Sequence, residues 1–197
     1  MIRQIIQTVV LAFVLFFVVQ MVFQNFRVQG ESMEPSVSSG QWLITNKAVY
    51  FFIDYDRIDR FLPFVDLDGG AYLFHAPKRG EVVVFDSPVE PGAQFIKRVI
   101  AIPGDEIEVR SGKVILNGQV LEEPYVKQQA VFSCRPEVLD EDEYYVLGDN
   151  RGNSRDSCEF GPIHVSAIIG KAWVSYWPLD DWGLVPNTSI STPSKGE

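Results

Sequence analysis

The chain has 197 residues, 46% of them hydrophobic, with 26 acidic against 17 basic side chains and a formal net charge of −9. That length holds one ordinary domain plus a further segment, and that apolar fraction supports a packed core, so a disordered chain is excluded. The acidic balance, without a basic stripe or a zinc-finger spacing, excludes a nucleic-acid partner.

The first element is N-terminal. Residues 5–23 carry no charge and as a helix would span about 28 Å, close to the thickness of a bilayer core. Arg3 and the α-amino group precede the run. The positive-inside rule then places residues 1–4 in the cytoplasm, a transmembrane anchor over 5–24, and the rest on the far side. A cleaved signal peptide is the rival reading. Its apolar region would be unusually long, and only Val28 and Gly30 weakly match the small residues of a cleavage site. A retained anchor fits better. Directly behind it the stretch GESMEP, residues 30–35, presents one small hydroxyl, Ser32, between a glycine, two acids and a proline. A linker needs no such arrangement; a nucleophile held at a membrane surface does.

From residue 25 to 185 the pattern predicts a mostly β domain with closely spaced turns. Residues 42–45 read as a short strand. Residues 49–68 mix aromatics with acids and read as a loop, either touching the bilayer interface or covering a satellite cluster. Residues 81–85 form a strand entered by the turn 77–80, and residues 94–101 form another. In "EIEVRSGKVILNGQV" the alternation of Ile107 and Val109 with Glu108 and Arg110, the Ser111-Gly112 turn and the return through residues 114–116 predict a hairpin. Asn117-Gly118 is a second turn. Residues 144–147 and 167–176 are the last strands, and the polar tail 186–197 reads as flexible.

Several residues in this frame can carry chemistry. In "QFIKRVIAIPGD" strand alternation puts Lys97 on one face with Phe95, Val99 and Ala101, and Ile96, Arg98 and Ile100 on the other. Lys97 either snorkels to water or is desolvated. Desolvation lowers its pKa and yields a neutral amine able to take a proton from a serine. His75 and His164 are the only histidines, and neither accompanies a nucleophile-elbow motif. The segment "LGDNRGNSRDSCEFGPI" gathers Asp149, Asn150, Arg151, Ser154, Arg155, Asp156 and Ser157. It is either a solvated loop of Asx turns or a polar network supporting a site. A calcium-loop spacing is absent, so a metal is not expected there. Cys134 and Cys158 are two free thiols or one bridge.

Together, "GESMEPSV", "GEVVVF", "FIKRVIAIPGD" and "GDNRGNSRDSCEFGP", in this order behind an N-terminal apolar run, resemble the sequence boxes of type I (leader) signal peptidases. The likeness extends from Gln29 to about Pro178. It implies a signal-peptidase-like antiparallel β fold with an N-terminal transmembrane helix. It also implies a membrane-anchored Ser-Lys dyad endopeptidase that removes signal peptides from exported preproteins after small residues, of the A-x-A kind. By match to the family motifs, Ser32 is the nucleophile and Lys97 the general base. Ser154 orients the lysine amine, and Asp156 and Arg151 form a structural polar pair beneath it. Val28, Met33, Val37, Phe95 and Ile96 fall at substrate-pocket positions. The oxyanion site falls at Ser32 and Gly30. The Ser32 N–H is one donor; some relatives supply a second from a serine hydroxyl where this chain has Gly30, so backbone or water must supply it here. Cys158 stands where many relatives have arginine, which removes a salt bridge and lets Cys134 and Cys158 pair on the exported side. The partners implied are preprotein signal peptides and the lipid bilayer, with an export translocon nearby, in a plasma or thylakoid membrane; no metal or cofactor is implied.

Two other classes fit the sequence less well. A self-cleaving Ser-Lys regulator of related fold lacks a membrane anchor and carries a DNA-binding part, and neither fits. A non-enzymatic tethered β module leaves the separated Ser32, Lys97 and Ser154 unexplained.

Overall fold

The computed structural model describes residues 1–54, 70–72, 74–127 and 130–190. Helix α1, Ile2–Val22, has a mean hydropathy of 2.6 over its best window and buries none of its residues. Its length and composition suit a bilayer. The Phe23 N–H still bonds the Val19 carbonyl, yet Phe23 is already extended and opens β1, Phe23–Arg27. The strand therefore begins inside the segment expected to be anchor, with no intervening loop.

β1 is the edge of an antiparallel eight-stranded sheet. It pairs with β2, Trp42–Asn46, which pairs with the long β13, Ile168–Trp177. Next come β5, Val82–Asp86, then β6, Gln94–Ala101, β11, Glu143–Leu147, and β12, Ile163–His164. The short β14, Gly183–Leu184, adds to β13. Strand β5 is buried on both faces, which explains its unbroken apolar run. Val82 and Val84 join Phe26, Met33, Leu43, Ile96 and Ala172 in one core, while Val83 and Phe85 join Val99, Tyr144, Val146 and Ile163 in a second.

A second sheet orders β10, Cys134–Val138, β7, Glu106–Arg110, β8, Lys113–Leu116, and β9, Gln119–Val120. The expected hairpin turn is present: Ser111 and Gly112 have φ of 50° and 79°, the left-handed pair that a two-residue turn requires. Ile107, Val109, Val114 and Leu116 pack on Ile100, Tyr145 and Leu147 and close a third core.

β1, β10, β12 and β14 were not predicted, because they are short or polar and show little alternation. Between residues 49 and 68 the expected loop lies mostly outside the described residues. At its edges Ala48–Tyr50 is a 3-10 turn, and β3, Phe52–Asp54, pairs with β4, Gly70–Tyr72. The tail begins later than residue 186. The Val82 N–H donates to Asn187 Oδ1 at 2.8 Å and Thr188 N–H to the Gly80 carbonyl at 3.2 Å, while Ile190 packs on the third core. Residues 191–197 lie outside the described residues.

Cys134 of β10 and Cys158 of helix α2, Ser157–Phe160, form a disulfide with their Cα atoms 5.3 Å apart. The bridge ties the second sheet to the segment behind the candidate site. With 24 residues of separation, loop closure alone predicts about 3 kcal/mol of stabilisation. Denaturant melts with and without reductant should differ by that order, and identical curves would show that the bridge adds nothing.

Candidate active site

Ser32 lies on a tight loop after β1. Gly30 enters it with φ of 86°, a conformation costly for any residue with a Cβ. Lys97 comes from the middle of β6. Its Nζ lies 2.7 Å from Ser32 Oγ and 3.0 Å from the Ile96 carbonyl oxygen. The amine is 5.4 Å from the centre of the Phe95 ring, and only 4% of Lys97 is exposed. The sequence left snorkelling or desolvation open, and the structure shows desolvation. Burial pushes the amine down from an ordinary 10.5 to about 8, against the opposing pull of the Asp156 and Asp149 carboxylates. Burial wins because it penalises the charged form directly, whereas those carboxylates spend their charge on closer donors.

The segment after β11 builds the wall behind this pair. Strand β11 pairs with β6 only from Arg98 onward, Leu147 facing Arg98. Beyond it the chain turns away through Gly148 and runs over Ser32. A Cβ on Gly148 would collide with the Ser32 carbonyl oxygen and Ser154 Oγ, so only glycine allows this approach. Asn150 N–H donates to the Ser32 carbonyl at 3.0 Å, and Asn150 Nδ2 donates to the Glu31 carbonyl at 3.1 Å. Ser154 Oγ is buried beside Gly148 and has no hydrogen-bond partner among the described residues. The expected bond from Ser154 to the lysine amine is therefore not made; the Ile96 carbonyl holds the amine instead.

The expected polar pair of Arg151 with Asp156 is also corrected. Arg151 Nη1 donates to Glu123 Oε2 at 2.9 Å and its Nε to the Gly148 carbonyl at 3.0 Å. Asp156 accepts from the Gly148 and Cys158 N–H groups and caps α2. Asp156 has backbone donors already in place, and Glu123 offers Arg151 a planar two-oxygen partner. A further ion pair is fully buried. Arg98 donates from Nε and Nη2 to Asp149 at 2.8 and 2.6 Å, with both side chains fully buried. Arg98 also bonds the Gly80 and Pro186 carbonyls and stacks 4.2 Å over the Tyr125 ring. An arginine between apolar neighbours on a predicted core strand was the available signal.

A groove of about 760 Å³ runs past the pair, lined by β1 residues Asn25, Phe26 and Arg27, by Gly30 and Ser32, and by β6 residues Gln94 through Lys97. Phe95 and Ile96 face it. Val28, Met33 and Val37 are buried at 2%, 1% and 1% exposure and sit in the core behind that wall with Ile96, so they shape the groove without lining it. Neither histidine engages Ser32: His75 Nδ1 lies against the Ala76 carbonyl and His164 Nδ1 against Ser166.

The family model described as "Signal peptidase, peptidase S26" matches residues 1–177. A signal peptidase I from Bacillus caldolyticus is 33% identical over 177 residues, which cover 83% of this chain and 84% of that one. A signal peptidase I from Leptolyngbya laminosa is 41% identical over 121 residues, 57% of this chain and 59% of its own length. The match therefore spans little more than half of that relative. A crystal structure of a signal peptidase I from Enterococcus faecalis V583 aligns with a TM-score of 0.44 at 29% identity, over 49% of this chain and 97% of that one.

Proposed function

We infer the function from membership: the chain belongs to the signal peptidase family, peptidase S26, and we propose that it is a serine endopeptidase that removes signal peptides from exported preproteins. The observation that carries the reading is the 2.7 Å approach of a buried Lys97 amine to Ser32 Oγ. The neutral amine takes the hydroxyl proton as Oγ attacks the scissile carbonyl carbon. The oxyanion forms beside the Ser32 N–H, which has no acceptor among the described residues. The ammonium then gives its proton to the departing amine as the C–N bond breaks, leaving an ester on Ser32. A water, deprotonated by Lys97, hydrolyses that ester and Ser32 regains its proton. Gly30 adds no side-chain donor. Ser154, with its free buried hydroxyl, is left to hold the amine or the substrate as the site fills, and Asp156 and Arg151 support the loop behind it.

Substrate enters as a strand. The outer edge of β1 and the part of β6 not covered by β11 offer backbone groups on either side of the groove. In an extended chain the first and third residues before the cut share a face. Both then meet the groove lined by Phe95 and by Ile96, the latter backed by Val28, Met33 and Val37, which favours small side chains, the A-x-A pattern.

The lipid bilayer is the second partner. Phe23 stacks on Trp173 at 5.7 Å where α1 ends, and Trp177, Trp182 and Leu184 are exposed around β13 and β14. Tryptophans beside an apolar helix suit an interface. The active face stands on the exported side of a plasma or thylakoid membrane, with residues 1–4 cytoplasmic, next to the export translocon.

The test is hydrolysis of a preprotein-like peptide with Ala-x-Ala before the cut, in detergent, with products identified by mass. Cleavage after the second alanine is expected, with kcat/KM rising about tenfold per pH unit below about 8 and levelling above it as Lys97 loses its proton. A limb near 6.5, the ordinary histidine value, would move the base to His75 or His164 and contradict the reading.

A further inference from the structure

We propose that Asn150 is a positioning residue for the oxyanion site, acting through the Glu31–Ser32 peptide; the proposal rests on the peptidase reading above. The N–H that would face the oxyanion belongs to the same peptide group as the Glu31 carbonyl. That carbonyl accepts two hydrogen bonds, from Asn150 Nδ2 and from the Glu34 N–H, both 3.1 Å. Donation to a carbonyl draws electron density onto its oxygen and makes the N–H of that peptide a stronger donor, the usual cooperativity of linked hydrogen bonds. The Asn150 N–H meanwhile donates to the Ser32 carbonyl at 3.0 Å. One residue thus grips the carbonyls on both sides of the nucleophile and fixes the plane of the donating peptide. Asn153 N–H bonds back to the Asn150 carbonyl at 3.1 Å, and Asn153 Nδ2 reaches Glu31 Oε2 at 3.2 Å, so the clamp is itself held. With Gly30 unable to offer a hydroxyl, a single backbone donor carries much of the oxyanion, and its strength and aim matter more.

Asn150→Ala removes the side-chain bond and keeps the backbone one. The readouts are kcat, KM, the melting temperature and the Ki of a substrate-like peptide boronic acid, whose tetrahedral adduct places an oxygen in the same position. Expected are a loss of about tenfold in kcat, a KM within about twofold, a boronate Ki raised by the same factor as kcat falls, and an almost unchanged melting temperature. A single oxyanion donor is worth about 10²–10³ in kcat, and polarising one contributes a fraction of that. Asn150→Asp, nearly isosteric but without a donor, should lose at least as much; it also serves if the alanine variant does not fold. A kcat within twofold of wild type, a loss in KM alone, or a boronate Ki that does not move with kcat overturns the proposal. A wild-type protein that cleaves no peptide overturns the peptidase reading itself, an outcome distinct from an active wild type matched by an equally active Asn150→Ala.

Discussion

Lys97→Met is expected to abolish peptide cleavage while making the protein more stable at neutral pH. The activity loss follows from removing the amine that lies 2.7 Å from Ser32 Oγ, the one base bonded to that hydroxyl among the described residues. Losing one member of such a pair costs about 10⁴-fold or more in kcat. The gain in stability follows from the same burial. An amine held at about 8 in the folded chain against 10.5 in the open one opposes folding by about 3 kcal/mol when charged, at 1.36 kcal/mol per pKa unit. The penalty is complete below about pH 8. It disappears as pH rises toward 10.5, because there the unfolded chain binds the extra proton. Methionine fills the same volume without charge. Some of the gain is offset by the lost bonds to Ser32 and Ile96, leaving about 1–3 kcal/mol, or a few degrees in melting temperature for a chain of this size. The difference between variant and wild type should shrink as pH is raised from 7 to 10. A variant less stable than wild type at pH 7 would mean that Lys97 is not desolvated.

Arg98→Met is expected to have the largest cost to folding. It leaves the Asp149 carboxylate fully buried without its paired guanidinium and strands the Pro186 carbonyl, while the Gly80 carbonyl keeps only its bond from the Thr188 N–H. Breaking such a pair from one side costs about 3–5 kcal/mol, a large share of the 5–15 kcal/mol that typically holds a domain together. Replacing both partners, Arg98→Met with Asp149→Leu, removes the orphan charge and should recover part of the loss. It cannot recover all of it, because the Pro186 carbonyl remains unpaired and Gly80 has lost one of its two donors. Urea midpoints of the two single variants and the double give the coupling directly. A single variant within about 1 kcal/mol of wild type would show that water reaches the pair. Function is expected to follow fold here, since Asp149 immediately precedes the Asn150 clamp on Ser32.

The parts of the molecule governed by local chemistry were legible in the sequence. Ser111-Gly112 dictated its hairpin through backbone conformation alone. The alternation of residues 94–101 placed Lys97 among apolar neighbours, and the four family boxes named Ser32 and Lys97, which the structure brings into contact. What stayed hidden depends on partners distant in sequence. Nothing near Arg98 points to Asp149, 51 residues away, and nothing near Arg151 points to Glu123 rather than Asp156. β1 was masked by the apolar helix running into it, and the register that leaves half of β6 uncovered is set by where β11 turns away at Gly148. Pro186 to Ile190 read as a polar tail because single bonds from Pro186, Asn187 and Thr188 and one apolar contact from Ile190 tie them to the body, with no periodic pattern to announce it. The cysteine pairing needed the resemblance before it could be favoured, since spacing alone does not distinguish a bridge from two thiols.

The most direct test of a Ser32–Lys97 dyad is to stop turnover of an Ala-x-Ala ester substrate with acid after milliseconds and weigh the peptide containing Ser32. The account predicts that this peptide gains the mass of the acyl portion in the wild type, and that neither Ser32→Ala nor Lys97→Met shows the added mass. An acyl group found on another residue, or formed as fast without Lys97, would contradict it.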